Sequence, residues 1–216
     1  MPDVPKRMYV TTDAVAISCV AKQGVRLLLV RRANAPFEGF WALPGGFVDE
    51  EEDLPAACAR EMEEETGAHP TAMLQVGAWG RPGRDPRGRN VSIVYLVAVR
   101  AGAEKPRAGS DALQAQWHLT SALPPLAFDH KDIVAECLDR LRTLISTTHF
   151  IFALLPERIR LEDLRDALTA TRGELVTAQE ALAFLKRARV IKEARATPRE
   201  GETYRIASAE FLAPLR

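Results

Sequence analysis

Cysteine, net charge and long apolar runs are all in short supply in this 216-residue chain, and each shortage excludes a class of protein. The three cysteines, Cys19, Cys58 and Cys137, are widely spaced and form no CxxC pair. That argues against a disulfide framework or a zinc site and for buried thiols kept reduced in a cytosol. The longest apolar stretch, Val91 to Val99, contains Ser92 and Tyr95 and is about half the ~20 residues a membrane helix needs. No bilayer span is expected. Lys6 and Arg7 precede an apolar run broken by Thr11, Thr12 and Asp13, a poor match to a secretory signal, so a cytoplasmic location is expected. Lys and Arg total 29, as do Asp and Glu. From Phe150 onward there are 12 cations against 10 anions, and before it 17 against 19, which is no strong nucleic-acid signature. What is present is 47% hydrophobic and 27% charged residues, enough to bury a core in one large domain or two modest ones.

The first half reads as strands and turns around one helix. Val10–Val20 and Val25–Arg31 are rich in β-branched and aliphatic residues and flank a Lys22-Gln23-Gly24 turn, a hairpin signal. A loop over Asn34–Phe47 follows. Asp53–Thr66 then carries an N-cap in Asp53, Pro55 in the first turn and Gly67 as the stop. Leu74–Trp79 and Asn90–Arg100 return to strand character, Gln114–Leu119 is a further short strand, and Lys131–Leu144 has helical spacing, with Asp129 near its start. A second unit begins near Thr147. There Leu161–Ala170 and Thr177–Ala188 read as helices, and Val190–Ala194 and Thr203–Ile206 as strands, in the order of a winged helix-turn-helix.

Within Asp53–Thr66, Leu54, Ala57, Cys58 and Met62 define an inward face, and Glu61 and Glu65 continue that face rather than oppose it. With Glu64 they form an i, i+3, i+4 set of like charges that repel one another. Such a cluster calls for a cation. Oxygen ligands favour a hard ion, Mg²⁺ or Mn²⁺.

The segment resembles the Nudix box, through Gly46, Glu52, Arg60, Glu61, Met62, Glu64, Glu65 and Gly67. Seven fixed positions make a chance match on the order of 10⁻⁸ per start position. The one departure is Ala68, where an Ile, Leu or Val is usual. The resemblance implies an α+β fold, a Nudix α/β/α sandwich with a mixed sheet over residues 1–147, followed by a small winged-helix-like domain over residues 148–216. It also implies Mg²⁺-dependent hydrolysis of a nucleoside diphosphate linked to another group. Glu61 and Glu65 match principal metal ligands, Glu64 a further ligand or the base, and the Gly45 carbonyl another ligand. Glu52 and Arg60 match a pair that orients the cluster. Asp111, six residues before Trp117, falls where some relatives place another acidic ligand; a capping or turn role is the alternative.

Arg81 to Arg89 packs four arginines into nine residues. Either the loop is simply solvated, or its guanidiniums clamp a pyrophosphate, with Arg84, Arg87 and Arg89, joined by Arg32, as the substrate-binding set. The string Arg84-Asp85-Pro86-Arg87-Gly88-Arg89, together with Phe37–Gly46 and Leu126–His130, is similar to the ADP-ribose pyrophosphatase-like Nudix subgroup. His130, beside Asp129 at a helix start, is expected to be structural. That subgroup includes transcriptional regulators of NAD metabolism with a C-terminal winged helix, which implies DNA as an alternative partner. However, Thr177–Leu185 holds no cation and only Gln179 to offer to base edges, with Lys186, Arg187 and Arg189 beyond it. Two functions follow: a pyrophosphatase that cleaves ADP-ribose or a related molecule to AMP and a phosphorylated product, or an ADP-ribose-sensing regulator. Sanitising of oxidised nucleoside triphosphates would use the same helix. A homodimer is expected in either case.

Overall fold

A computed structural model of the chain describes residues 8–102, 106–107, 109, 112–188, 191–197, 201–206 and 211. The strands are β1 (Tyr9–Val20), β2 (Gly24–Arg32), β3 (Trp41–Ala42), β4 (Ala72–Trp79), β5 (Asn90–Ala98) and β6 (Ala112–Leu119), with helices α1 (Leu54–Thr66) and α2 (His130–Thr147). They form a mixed sheet in the order β3-β2-β1-β5-β4, with β6 also pairing β2. The parallel pair β1 and β5 is central, with Asp13 opposite Val94. β1 and β2 form the expected antiparallel hairpin, with Ile17 opposite Leu27.

Residues Thr11 to Cys19 of β1 are all buried, as a strand covered on both faces must be. Alternation sorts them. Ala14 and Ala16 pack with Cys58 and Met62 of α1. Val15, Ile17 and Cys19 pack with Ile133, Cys137 and Leu141 of α2. The sheet is thus sandwiched between the two helices, the α/β/α arrangement expected. The three cysteines are free and buried. No helix among the described residues is long and apolar enough to cross a membrane.

α1 begins and ends as expected: Asp53 caps it through the Leu54 N–H at 2.9 Å, and Gly67 closes it at φ 67°. α2 starts one residue earlier and runs three residues further than the sequence pattern indicates. The Asn34–Phe47 loop holds the short β3, whose two residues carry too little pattern to read.

Past α2 come α3 (Ile151–Leu154), β7 (Arg158–Arg160), α4 (Leu161–Arg172), α5 (Ala178–Arg187), β8 (Ile191–Thr197) and β9 (Gly201–Ile206). Helix, helix and two-stranded hairpin are in the expected order, and β7 adds a third strand in the order β7-β9-β8. This part does not stand apart from the sandwich. One apolar cluster runs from Val15 and Leu29 through Phe152, Leu164 and Leu168 to Phe184 and Ile206. Each fully buried large side chain in it stabilises the fold by about 1.5–3 kcal/mol.

Candidate active site

A cleft of about 340 Å³ is lined by the loop after β3, one face of α1, the end of β2 and the loop before β5. Glu61 and Glu65 reach it from α1, one helical turn apart and therefore on one face. Glu64 is turned away: its side chain is 60% exposed, against 17% for Glu61.

Two glycines let the loop lie against both helix and sheet. A Cβ on Gly46 would sit 2.4 Å from the Glu61 carboxyl carbon, and one on Gly45, at φ +153°, 2.0 Å from the Thr12 carbonyl oxygen. The N–H groups of Thr12 and Ala14 donate to the Gly46 and Pro44 carbonyls at 2.9 and 2.8 Å. Gly45 directs its own N–H to Glu65 Oε2 at 3.0 Å.

Arg60 organises the acids from behind. It donates to both oxygens of Glu52 at 2.9 and 2.8 Å, to Glu61 Oε1 at 2.9 Å, to Glu64 Oε2 at 3.3 Å and to the Phe47 carbonyl at 3.1 Å. Burial pushes the Glu65 carboxyl up to about 7, against the Gly45 N–H, with Glu61 and Asp13 adding to the rise. Burial also raises Glu61, opposed by Arg60. Two carboxyls made costly to ionise in one cleft favour a cation between them. Among the described residues no three acidic, His or Cys side chains gather as a metal cage. Mg²⁺ needs none, because it is commonly held by one or two carboxylates, waters and substrate phosphates. The donor set therefore fits that ion. Asp111 lies outside the described residues.

The four arginines of the expected substrate set divide. Arg32 and Arg87 line the cleft and flank Phe128, with guanidiniums 4.9 and 5.6 Å from its ring centre; Arg87 is also 5.8 Å from Phe47. Burial and the nearby Arg87 charge hold Arg32 below its ordinary value. Arg87 is also paired with Asp85 at 2.7 Å. Arg84 reaches the cleft, but its side chain is only 6% exposed and its donors go to Asp129 at 2.9 and 2.7 Å, Asn90 at 3.3 Å and Asp13 at 3.4 Å. Arg89 is not among the lining residues and donates to the Asn90 carbonyl at 3.1 Å.

Beneath the cleft lies a buried polar floor that sequence reasoning missed. Asp13 accepts from Ser92 Oγ at 2.5 Å, and Thr11 Oγ1 donates to Asn90 Oδ1 at 3.1 Å. The available signal was Asp13 itself, a carboxylate within an otherwise apolar strand. Phe128, left-handed at φ 53°, was marked in the sequence only as part of Leu126–His130.

The NUDIX domain family matches residues 11–137. The chain belongs to the Nudix hydrolases. This Nudix hydrolase is 40% identical over 134 residues to the ADP-ribose pyrophosphatase of Methanocaldococcus jannaschii, covering 62% of this chain and 78% of that one. It is 34% identical over 159 residues to the ADPR responsive transcriptional repressor NtrR of Acinetobacter baylyi, covering 72% of this chain and 63% of the repressor. The crystal structure of Shewanella oneidensis NrtR superposes on the Nudix hydrolase with a TM-score of 0.83 at 25% identity, over 95% of this chain and 97% of that one.

Proposed function

We propose that this Nudix hydrolase is a Mg²⁺-dependent pyrophosphohydrolase that cleaves ADP-ribose or a related nucleoside diphosphate derivative to AMP and a phosphorylated product. The observation that carries the reading is the cleft itself, which combines Glu61 and Glu65 with Arg32 and Arg87. Similarity to an ADP-ribose pyrophosphatase supports the substrate class. Glu61, Glu65 and the Gly45 carbonyl would hold Mg²⁺, with Mn²⁺ as a substitute and with Asp111 as a further ligand. The bound ion would lower the pKa of a water and neutralise phosphate charge. Arg32 and Arg87 bind the diphosphate as charged, planar donors, with Arg84 and Arg89 shaping the loop that presents Arg87. Arg60 and Glu52 hold Glu61 at its angle. Glu64, joined to Arg60 at the exposed edge of the acids, is proposed as the base or as a further ligand that swings in with the ion.

The division of labour along the chain is part of the proposal. Residues 1–147 form the hydrolase unit, and residues 148–216 form a winged-helix-like unit that serves dimerisation or substrate covering. The site of action is the cytoplasm.

The test is AMP release from ADP-ribose by purified protein with Mg²⁺, read by chromatography, beside a panel of nucleotide sugars and oxidised triphosphates. Glu64→Gln or Glu65→Gln is expected to cut turnover steeply while sparing ligand binding more than catalysis. No AMP release, and no effect of either substitution, would end this reading.

Similarity to the NtrR repressor, which extends over 72% of the chain, favours a second reading, an ADP-ribose-sensing regulator. α5 bears Gln179, Lys186 and Arg187, but Arg187 lies 6.0 Å over Phe184 of its own helix. A gel shift against genomic fragments decides it: binding that weakens with salt and responds to ADP-ribose supports a regulator, and absent or salt-insensitive binding excludes it.

A further inference from the structure

His130 begins α2 and is 4% exposed. Its Nδ1 accepts the Leu43 N–H at 2.9 Å. An accepting Nδ1 carries no hydrogen, so in the neutral ring the hydrogen sits on Nε2. Burial, the strongest influence on this imidazole, holds its pKa below the ordinary histidine value. Nε2 faces Asp13 Oδ1 at 3.7 Å. Asp13 is fixed in turn by Ser92 at 2.5 Å and by Arg84 at 3.4 Å, and Arg84 forks onto Asp129, the residue before His130. The chain of contacts thus closes on itself.

The circuit grips the segment that carries the glycines. The Ala127 N–H donates to the Trp41 carbonyl at 2.7 Å, the Leu43 N–H to His130, and β1 on either side of Asp13 donates to the Pro44 and Gly46 carbonyls. The segment's next polar contact is the Gly45 N–H on Glu65.

We propose that His130 is a positioning residue for the carboxylate site, holding Leu43–Gly46 in the register that delivers the Gly45 N–H to Glu65. The catalytic part of the inference rests on the pyrophosphohydrolase reading; the positioning part does not. Asn places an acceptor at the same bond count from Cβ as Nδ1, whereas Leu fills the space and leaves the Leu43 N–H unpaired.

The experiment compares wild type, His130→Leu and His130→Asn in three readouts: steady-state AMP release from ADP-ribose, amide hydrogen exchange at Leu43 and Gly45, and affinity for Mn²⁺ alone. His130→Leu is expected to lower kcat roughly 10- to 100-fold, with KM within about threefold, because a small misplacement of a catalytic constellation acts on turnover. It also speeds exchange at both amides and weakens Mn²⁺ binding, and His130→Asn restores most of each. Ser92→Ala, which loosens Asp13 without emptying the core, speeds Gly45 exchange to a smaller extent and keeps the inference testable if His130→Leu does not fold. Exchange and Mn²⁺ affinity unchanged in His130→Leu, or in Ser92→Ala where His130→Leu does not fold, would overturn the positioning role, as would an Asn variant no better than Leu. If wild type releases no AMP, the pyrophosphohydrolase reading fails and the exchange and Mn²⁺ readouts alone decide the positioning role.

Discussion

Gly46→Ala separates the demands of the site from those of the fold. Gly46 does not have a positive φ, so alanine adopts its backbone without strain. The added methyl would meet the Glu61 carboxyl carbon at 2.4 Å, where ordinary contact begins at 3.4 Å. Glu61 must therefore retreat by about 1 Å, and a displacement of that size costs on the order of 100-fold in rate, or about 2.7 kcal/mol of barrier. Stability changes little. The hydrogen bond from Arg60 to Glu61 is partly exposed and contributes about 1 kcal/mol, and the stiffer unfolded chain of an alanine offsets about 0.4–1 kcal/mol of that. The assay pairs kcat/KM for AMP release with urea unfolding: the expected result is a variant folded like wild type and roughly 100-fold slower. Gly45→Ala is the contrast, because its methyl would meet the Thr12 backbone oxygen at 2.0 Å and that atom cannot swing aside. It should lose at least about 2 kcal/mol of stability. A Gly46→Ala protein with kcat/KM within about threefold of wild type would refute the assignment of Glu61 to the reacting face.

Arg84→Met strands Asp13 and Asp129 in a largely buried setting and should cost about 3–5 kcal/mol in urea unfolding, with a loss below 1 kcal/mol counting against the polar floor. Phe184→Ala, in the cluster shared by sandwich and C-terminal helices, should cost about 3–5 kcal/mol. All three tryptophans lie before Phe150, so a fluorescence melt that stays in place while the circular dichroism melt shifts would show that the two parts unfold separately. The exposed Glu157 is held below the ordinary carboxyl value of 4.5, chiefly by the hydrogen bond from Arg205. Its contribution is present above pH 4.5 and lost as pH falls through the lower folded value, so Glu157→Gln should flatten the acid side of the stability curve. An unaltered acid limb would show the pair to be idle.

Much of the architecture was legible because its signals are local. The β1–β2 hairpin shows in two apolar runs around Lys22-Gln23-Gly24, and α1 shows in Asp53, Pro55 and Gly67. The box from Gly46 to Gly67 identified the helix that carries Glu61 and Glu65. Their shared face follows from helical spacing, and so does the outward turn of Glu64, which the charge pattern alone had grouped with them. β3 and β7 were missed because two or three residues carry no period, and β7 in addition pairs with β9, a partner distant in sequence.

The arginines mark the limit of local reading. Arg84, Arg87 and Arg89 look equivalent in a string, yet one is buried against Asp129, one lies between two phenylalanine rings and one bonds the Asn90 backbone. Asp13 and His130 likewise acquire meaning only when β1 and the start of α2 meet beneath the Gly45 loop. By itself the sequence determined the helix of acids, the glycines before it, the family resemblance and the order of the longer elements, since each is carried by one continuous stretch of chain. Only the tertiary structure decided which charges are neutralised, which face the cleft and what holds the loop, because hydrogen-bond partners 45 to 87 residues apart are chosen by how the sheet and helices pack.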